Sequence, residues 1–276
     1  MKGKIIKYKE EIEKDTKYRS EYKSSIDTFL ACSRNKMNQD RKDYVDPLKM
    51  ANNQEKYRKD FIDMLGYPLN TERKETKLIS KEFIAKDNNV NIYRMQLLID
   101  NAIKAYGILF EQIDKKNNSL VLALHGGEGT PELVSSIHMD SANYNHLARR
   151  LTDKGFNVFC PQLLLWSMTN YGNPYDRQQV NYKMRSLGGT TVALEMYMMS
   201  SCLDYLFANY NFRKDNLAVA GLSYGGMYSF FMAAYDTRIK ACFSCSYLTD
   251  DDGSKIYDWH NDSKINFKAT NLPSNK

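Results

Sequence analysis

Residues 217–228 read Leu-Ala-Val-Ala-Gly-Leu-Ser-Tyr-Gly-Gly-Met-Tyr. Ser223 stands between Gly221 and Gly225, after a short apolar run and before an apolar stretch compatible with a helix. This is the G-x-S-x-G pattern, in which a sharp strand-to-helix turn lifts a serine hydroxyl above the sheet as a nucleophile. The turn crowds its flanks, so its neighbours must lack colliding side chains, and glycine meets that need on both sides. A helix starting there also aims its N-terminal N–H groups at bound negative charge.

A second segment with chemical potential is His125-Gly126-Gly127-Glu128-Gly129, directly after the apolar run 120–124. Its glycines let the backbone approach a reacting oxygen closely. A tight turn and a phosphate cradle are competing readings of the same glycines. With the serine turn two βα units later, the favoured reading is an oxyanion hole. Its donors are then the N–H of Gly127, with Glu128 as the near alternative, and the N–H of Tyr224, the residue after the serine. One such donor is worth about 2.7–4 kcal/mol of barrier. His125 is read as a support for the loop and not as the general base.

These groups need a scaffold to hold them. Residues 5–37 and 53–65 read as charged helices, the second ended by Gly66 and Pro68. They form an expected helical N-terminal extension over 1–70 that packs on a main domain, 71–276. Residues 78–85, 90–99 and 103–112 read as three antiparallel strands, with turns at Asp87-Asn88-Asn89 and Asp100-Asn101. Strands then alternate with helices. Strands are expected at 120–124, 157–160, 217–221 and 239–246, and helices at 141–153, 187–209 and 224–235. That rhythm predicts an α/β fold, a mostly parallel sheet with helices on both faces.

From about residue 60 to 250 the chain resembles bacterial α/β hydrolases of the dienelactone-hydrolase and acetyl-xylan-esterase-like branch. The resemblance is carried by 60–69, 125–129, Phe159-Cys160-Pro161-Gln162-Leu163-Leu164-Leu165-Trp166, Tyr175-Asp176-Arg177, 221–228 and 236–241. It implies an α/β-hydrolase-type fold and hydrolysis of a carboxylic, acetyl-type ester through an acyl-serine. The small-molecule ester, perched on a carbohydrate or not, is unnamed by these motifs. The resemblance covers Ser223, Gly127 and Tyr224 residue by residue and stops there.

A serine hydroxyl needs an adjacent base at neutral pH. On this fold the triad acid and then the histidine come after the serine. Only residues 247–276 follow the last expected strand, and each further βα step takes about 30 residues. The chain is therefore expected to be cut short, with the last sheet strands missing and the strand 239–246 left as an exposed edge through which it could oligomerise. Substitutes in the tail would be Asp250, Asp251 and Asp252, with His260 folding back over the site. The plainer reading is a solvated acidic loop. His138 is placed on the rim and His146 on a helix surface. A serine hydrolase without its base is expected to be weak or inactive.

Composition excludes several classes. The net charge of +6 sits mostly in residues 1–77, whose 19 Lys/Arg and 14 Asp/Glu are interleaved along helix faces, a solvated pattern and not a nucleic-acid footprint. No apolar run reaches the roughly 20 residues that span a bilayer, and no secretory signal is seen. Five cysteines without framework spacing suit a cytoplasmic location. Cys242 and Cys245 point to opposite faces of a strand, which reads as buried packing. No metal-ligand spacing and no dinucleotide fingerprint are present, so no metal and no cofactor are expected. Two other functions compete with the esterase. One is a non-catalytic binding module that keeps the old pocket. The other is a prolyl-oligopeptidase-like peptidase, for which 1–70 is too short to form a propeller gate.

Overall fold

The computed structural model describes residues 11–44, 46–114, 117–137, 143–166 and 175–247. The chain divides into two compact units, at Tyr57/Arg58.

In the first unit, α1 (Ile12–Tyr44) is a single 33-residue helix, followed by α2 (Pro47–Asn52) and the start of α3 (Gln54–Leu65). Ion pairs four residues apart line α1, such as Arg19–Asp15 at 2.9 Å and Lys23–Asp27 at 2.8 Å. Such exposed pairs follow the helical spacing that lets side chains four apart meet, and solvent screens them. Asp46 caps α2 by accepting the N–H groups of Leu48 and Lys49.

The second unit is built on one seven-stranded sheet: β1 (Lys77–Asp87), β2 (Val90–Ile99), β3 (Ile103–Gln112), β4 (Leu120–Leu124), β5 (Asn157–Pro161), β6 (Leu217–Leu222) and β7 (Ile239–Cys245). Their order is β1-β2-β3-β5-β4-β6-β7. The first three strands form an antiparallel meander, β3 pairs antiparallel with β5, and β5, β4, β6 and β7 run parallel. Five of the seven strands thus share one direction. The tight turn between β2 and β3 holds Asp100 and Asn101 at positive φ, a conformation that Asp and Asn tolerate.

Helices α4 (Pro131–Ser135), α5 (Leu147–Thr152), α6 (Arg177–Ser186), α7 (Thr191–Asn209) and α8 (Tyr224–Tyr235) complete the unit. Alternation along β4 divides the core. Leu120, Leu122 and Leu124 pack with α7 and α8 on one face, while Val121 and Ala123 pack with α4 and α5 on the other. All five β4 residues are buried, as a central parallel strand requires. From Arg58 onward α3 belongs to this unit, with Phe61 edge-on to Phe231 at 5.3 Å.

Several boundaries differ from expectation. Helix α7 starts at Thr191 and not at 187, because Gly188 and Gly189 form a crossing point. Tyr67 N–H donates to Gly188 O at 3.1 Å, and a side chain at 189 would overlap the Tyr67 carbonyl. Thr190 then caps the helix by accepting the Ala193 N–H. Helix α6 was not among the expected elements, and the Asp176 cap that starts it was its legible signal. The buried reading of Cys242 is corrected: it is exposed, and among the described residues no strand lies beyond β7 on that side of the sheet. Phe243 on the same strand is 63% exposed.

Candidate active site

Chain order reverses direction around β4. From β4 the chain goes to β5 on one side, then returns to β6 on the other. The loops that leave β4 and β6 therefore part at a crevice above the C-terminal ends of two adjacent parallel strands, where α/β sheets bind ligands. Leu124 pairs with Gly221 at the top of these strands. This register brings the glycine loop and the serine turn side by side.

Ser223 is half-buried and adopts φ 57°, ψ −117°. A positive φ with that ψ is strained for a residue with a Cβ, costing about 1–3 kcal/mol, and such strain collects at functional positions. The turn is clamped on both sides. Ser223 N–H donates to Cys245 O at 2.8 Å, and Ser223 O accepts the Met227 N–H at 2.9 Å. Close approach explains the glycines. A Cβ at Gly221 would overlap the Gly225 backbone, and one at Gly225 would overlap the Leu124 carbonyl. One at Gly126 would stand 3.3 Å from Ser223 Cβ and 2.9 Å from Leu222 O. The glycine loop and Ser223 are thus in near contact.

The loop is held by its own polar groups. Gly126 N–H donates to the Tyr144 hydroxyl at 2.8 Å, and Gly129 N–H donates to Gly126 O at 3.2 Å. Gly127 faces the Tyr224 ring, 3.4 Å from where its Cβ would be. No hydrogen bond from the Gly127 N–H is found among the described residues. Tyr224 opens α8, where first-turn N–H groups project from the helix start. Glu128 holds φ 57° and bridges to Trp166 in the loop after β5.

His125 is fully buried. Its Nδ1 lies 2.9 Å from Gly126 O, and its Nε2 accepts the Leu163 N–H at 2.9 Å. These partners require the neutral tautomer with the proton on Nδ1. Burial pushes its pKa down to about 4, against the pull of the Gly126 carbonyl. Both ring nitrogens are occupied, so it has no lone pair to offer Ser223. His146 is exposed at the start of α5, with Nδ1 2.9 Å from Ser136 Oγ. His138, Asp250, Asp251, Asp252 and His260 lie outside the described residues.

Sequence reasoning missed a buried ionic cluster beside this site. Arg177 donates from Nη2 to Glu195 Oε2 at 2.7 Å and to the Tyr228 hydroxyl at 2.9 Å. Tyr228 in turn donates a very short bond to the same carboxylate oxygen. The signal was present in the sequence. Glu195 is the lone charge in the stretch Thr191–Cys202, and an apolar helix that carries one carboxylate usually buries it with a partner. Trp166 and Tyr175 form a further aromatic pair, centroids 4.2 Å apart. Among the described residues no group of three or more His, Cys, Asp or Glu is placed to hold a metal ion, and no helix is long and apolar enough to cross a membrane.

No family model and no curated protein matches the chain. Solved structures do. A Bacteroides fragilis protein assigned as an acetyl xylan esterase aligns with TM-score 0.58 at 14% identity, over 71% of this chain and 53% of its own. A methylesterase aligns with TM-score 0.57 at 14% identity, over 79% of this chain and 46% of its own. The chain thus spans about half the length of each. At such identity the likeness is one of fold: the chain has the mixed α/β, α/β-hydrolase-type architecture that these esterases share.

Proposed function

We propose that the chain is a carboxylic ester hydrolase whose nucleophile is Ser223. Its hydroxyl attacks the ester carbonyl, the proton leaves to a base, and the oxyanion is held by the N–H groups of Gly127 and Tyr224. Collapse releases the alcohol and leaves an acyl-serine, which water hydrolyses. The observation that carries this reading is the φ of +57° at Ser223, beside a glycine loop at the switch point of the sheet. Acetyl-type esters, and the finer resemblance to the dienelactone-hydrolase and acetyl-xylan-esterase-like branch, belong to the same proposal. The neighbours' names, an acetyl xylan esterase and a methylesterase, support small-molecule esters as the substrate class.

A second reading is a non-catalytic or very weak module. It is favoured by one observation: the two described histidines both have other partners, and neither serves Ser223. Loss of a triad member leaves about 10³–10⁴-fold catalysis over water. One experiment separates the two. The purified chain and Ser223→Ala are treated with a fluorophosphonate and assayed with p-nitrophenyl acetate. An active esterase is labelled at Ser223 and hydrolyses the ester only with Ser223 present. Equal, background rates in both proteins would reject the esterase.

A further inference from the structure

Glu195 and Arg177 have side chains only 1% and 6% exposed. Burying an ion pair costs several kcal/mol per ion before the pair's attraction repays it, and well-packed apolar residues often serve stability as well. The neighbours of Glu195 on α7 (Val192, Ala193, Met196 and Met199) are fully buried apolar residues, so packing alone would be met by another. The geometry of the cluster indicates what the charges do instead.

Both ions converge on one backbone unit. Glu195 Oε1 accepts the Leu164 N–H at 2.5 Å, and Arg177 Nη1 donates to Leu164 O at 2.6 Å. Leu164 is thereby pinned at both its polar groups. One residue earlier, Leu163 N–H donates to His125 at the base of the glycine loop. Two residues later, Trp166 bridges to Glu128 within that loop. The loop 163–166 is thus a splint, fixed to the ion pair at its centre and to the glycine loop at both ends. The third member of the cluster, Tyr228, lies on α8, five residues after Ser223. Arg177 Nη2 and Tyr228 meet the same carboxylate oxygen, which ties the nucleophile's helix to the splint. Burial alone would lower the Arg177 pKa, but Glu195 and Tyr228 more than offset it and the charge is retained.

We propose that Arg177, Glu195 and Tyr228 are positioning residues that set the distance between Ser223 and the Gly127 N–H. This rests on the reading of Ser223 as nucleophile and of Gly127 as donor. The cluster's hydrogen bonds run to the Leu164 backbone and among its own members. It fixes two backbone segments against each other, and misplacement by about 1 Å can cost roughly 100-fold in a bond-forming step.

The test uses the full chain, Tyr228→Phe, Glu195→Gln and Arg177→Lys. Fluorophosphonate labelling is resolved into a rate constant for bond formation, a reversible binding constant and a final labelled fraction. Amide hydrogen exchange is followed at 125–129 and 163–166. Tyr228→Phe, which removes only a hydroxyl, is expected to slow bond formation about tenfold, with binding within about twofold and the labelled fraction unchanged. Exchange should quicken at both loops and not in β2 or β3. Arg177→Lys keeps the charge but should also slow bond formation, since one ammonium cannot reach Leu164 O and Glu195 in the forked geometry. A merely structural role would lower the labelled fraction without changing the rate constant, or would quicken exchange throughout the unit. Either result overturns the proposal. If the unmutated chain is not labelled at all, the esterase reading fails by itself. Exchange confined to the two loops then still supports the splint, and exchange spread through the unit still rejects it.

Discussion

The Nε2 of His125 accepts the Leu163 N–H at 2.9 Å inside a fully buried setting, and this bond joins the loop after β4 to the loop after β5. The bond exists only while the imidazole is neutral. Protonation would place a donor against a donor at a residue closed off from bulk solvent.

A pH dependence follows. His125 has a folded pKa near 4, against an ordinary value near 6.5. The group is therefore depressed, and the unfolded chain binds its proton more readily. Its contribution to stability is complete above pH 6.5 and is lost as pH falls from there through 4. The difference amounts to about 3 kcal/mol across that window. His125→Asn should unfold more easily at pH 7 but show a shallower loss of stability between pH 6.5 and 4 than the unmutated chain. Urea midpoints at four pH values measure this, and parallel slopes in the two proteins would refute it.

Strain at Ser223 predicts an opposite pairing of stability and function. Ser223→Gly should raise unfolding free energy by about 1 kcal/mol, because glycine adopts φ 57° without a Cβ clash. The same change should abolish fluorophosphonate labelling. A glycine variant that is less stable than the parent would mean that the serine side chain makes a stabilising contact.

The glycines of the site are not equivalent, and their substitutions should separate. At Gly127 a Cβ meets the Tyr224 ring at an ordinary 3.4 Å, so Gly127→Ala should change stability by less than about 0.5 kcal/mol. Gly225→Ala drives a methyl into the Leu124 carbonyl, a backbone atom that cannot swing aside. It should cost upwards of about 3 kcal/mol or prevent folding. Thermal unfolding of the two proteins side by side decides the matter, and similar melting points would count against the clamped turn.

Phe243 stands 63% exposed on β7, beyond which no strand lies among the described residues. A strand of this kind invites pairing between copies. Phe243→Lys should leave the unfolding free energy within about 0.5 kcal/mol while lowering the apparent mass in concentration-dependent light scattering. A mass that stays constant with concentration in both proteins would remove self-association through this edge.

Much of the fold was legible because its signals are local. The meander strands alternate apolar and polar residues and are separated by Asn and Asp turns. The buried strands are short apolar runs, and Gly221, Ser223 and Gly225 mark one turn by their spacing. Helix α6 was hidden because Arg177–Ser186 is mostly polar and two of the three residues it buries, Arg177 and Asn181, are themselves polar, so no apolar stripe marks its inner face. The exposure of Cys242 was hidden because a strand's own residues do not reveal whether another strand lies beyond it.

Sequence alone determined where a serine could be strained into exposure, which loop was glycine-rich enough to approach it, and the alternation that demands a two-faced sheet. The first two depend on neighbouring residues, and the third on a run of elements each marked by its own local pattern. Only tertiary structure decided that β4 and β6 are neighbours, which sets Gly126 against Ser223, 97 positions apart in the chain. It also decided that His125 is neutral and fully bonded, and that Arg177, Glu195 and Tyr228 meet on the Leu164 backbone. Those facts arise from strand order and from the dielectric of a closed interior, and neither is written in the types of adjacent residues.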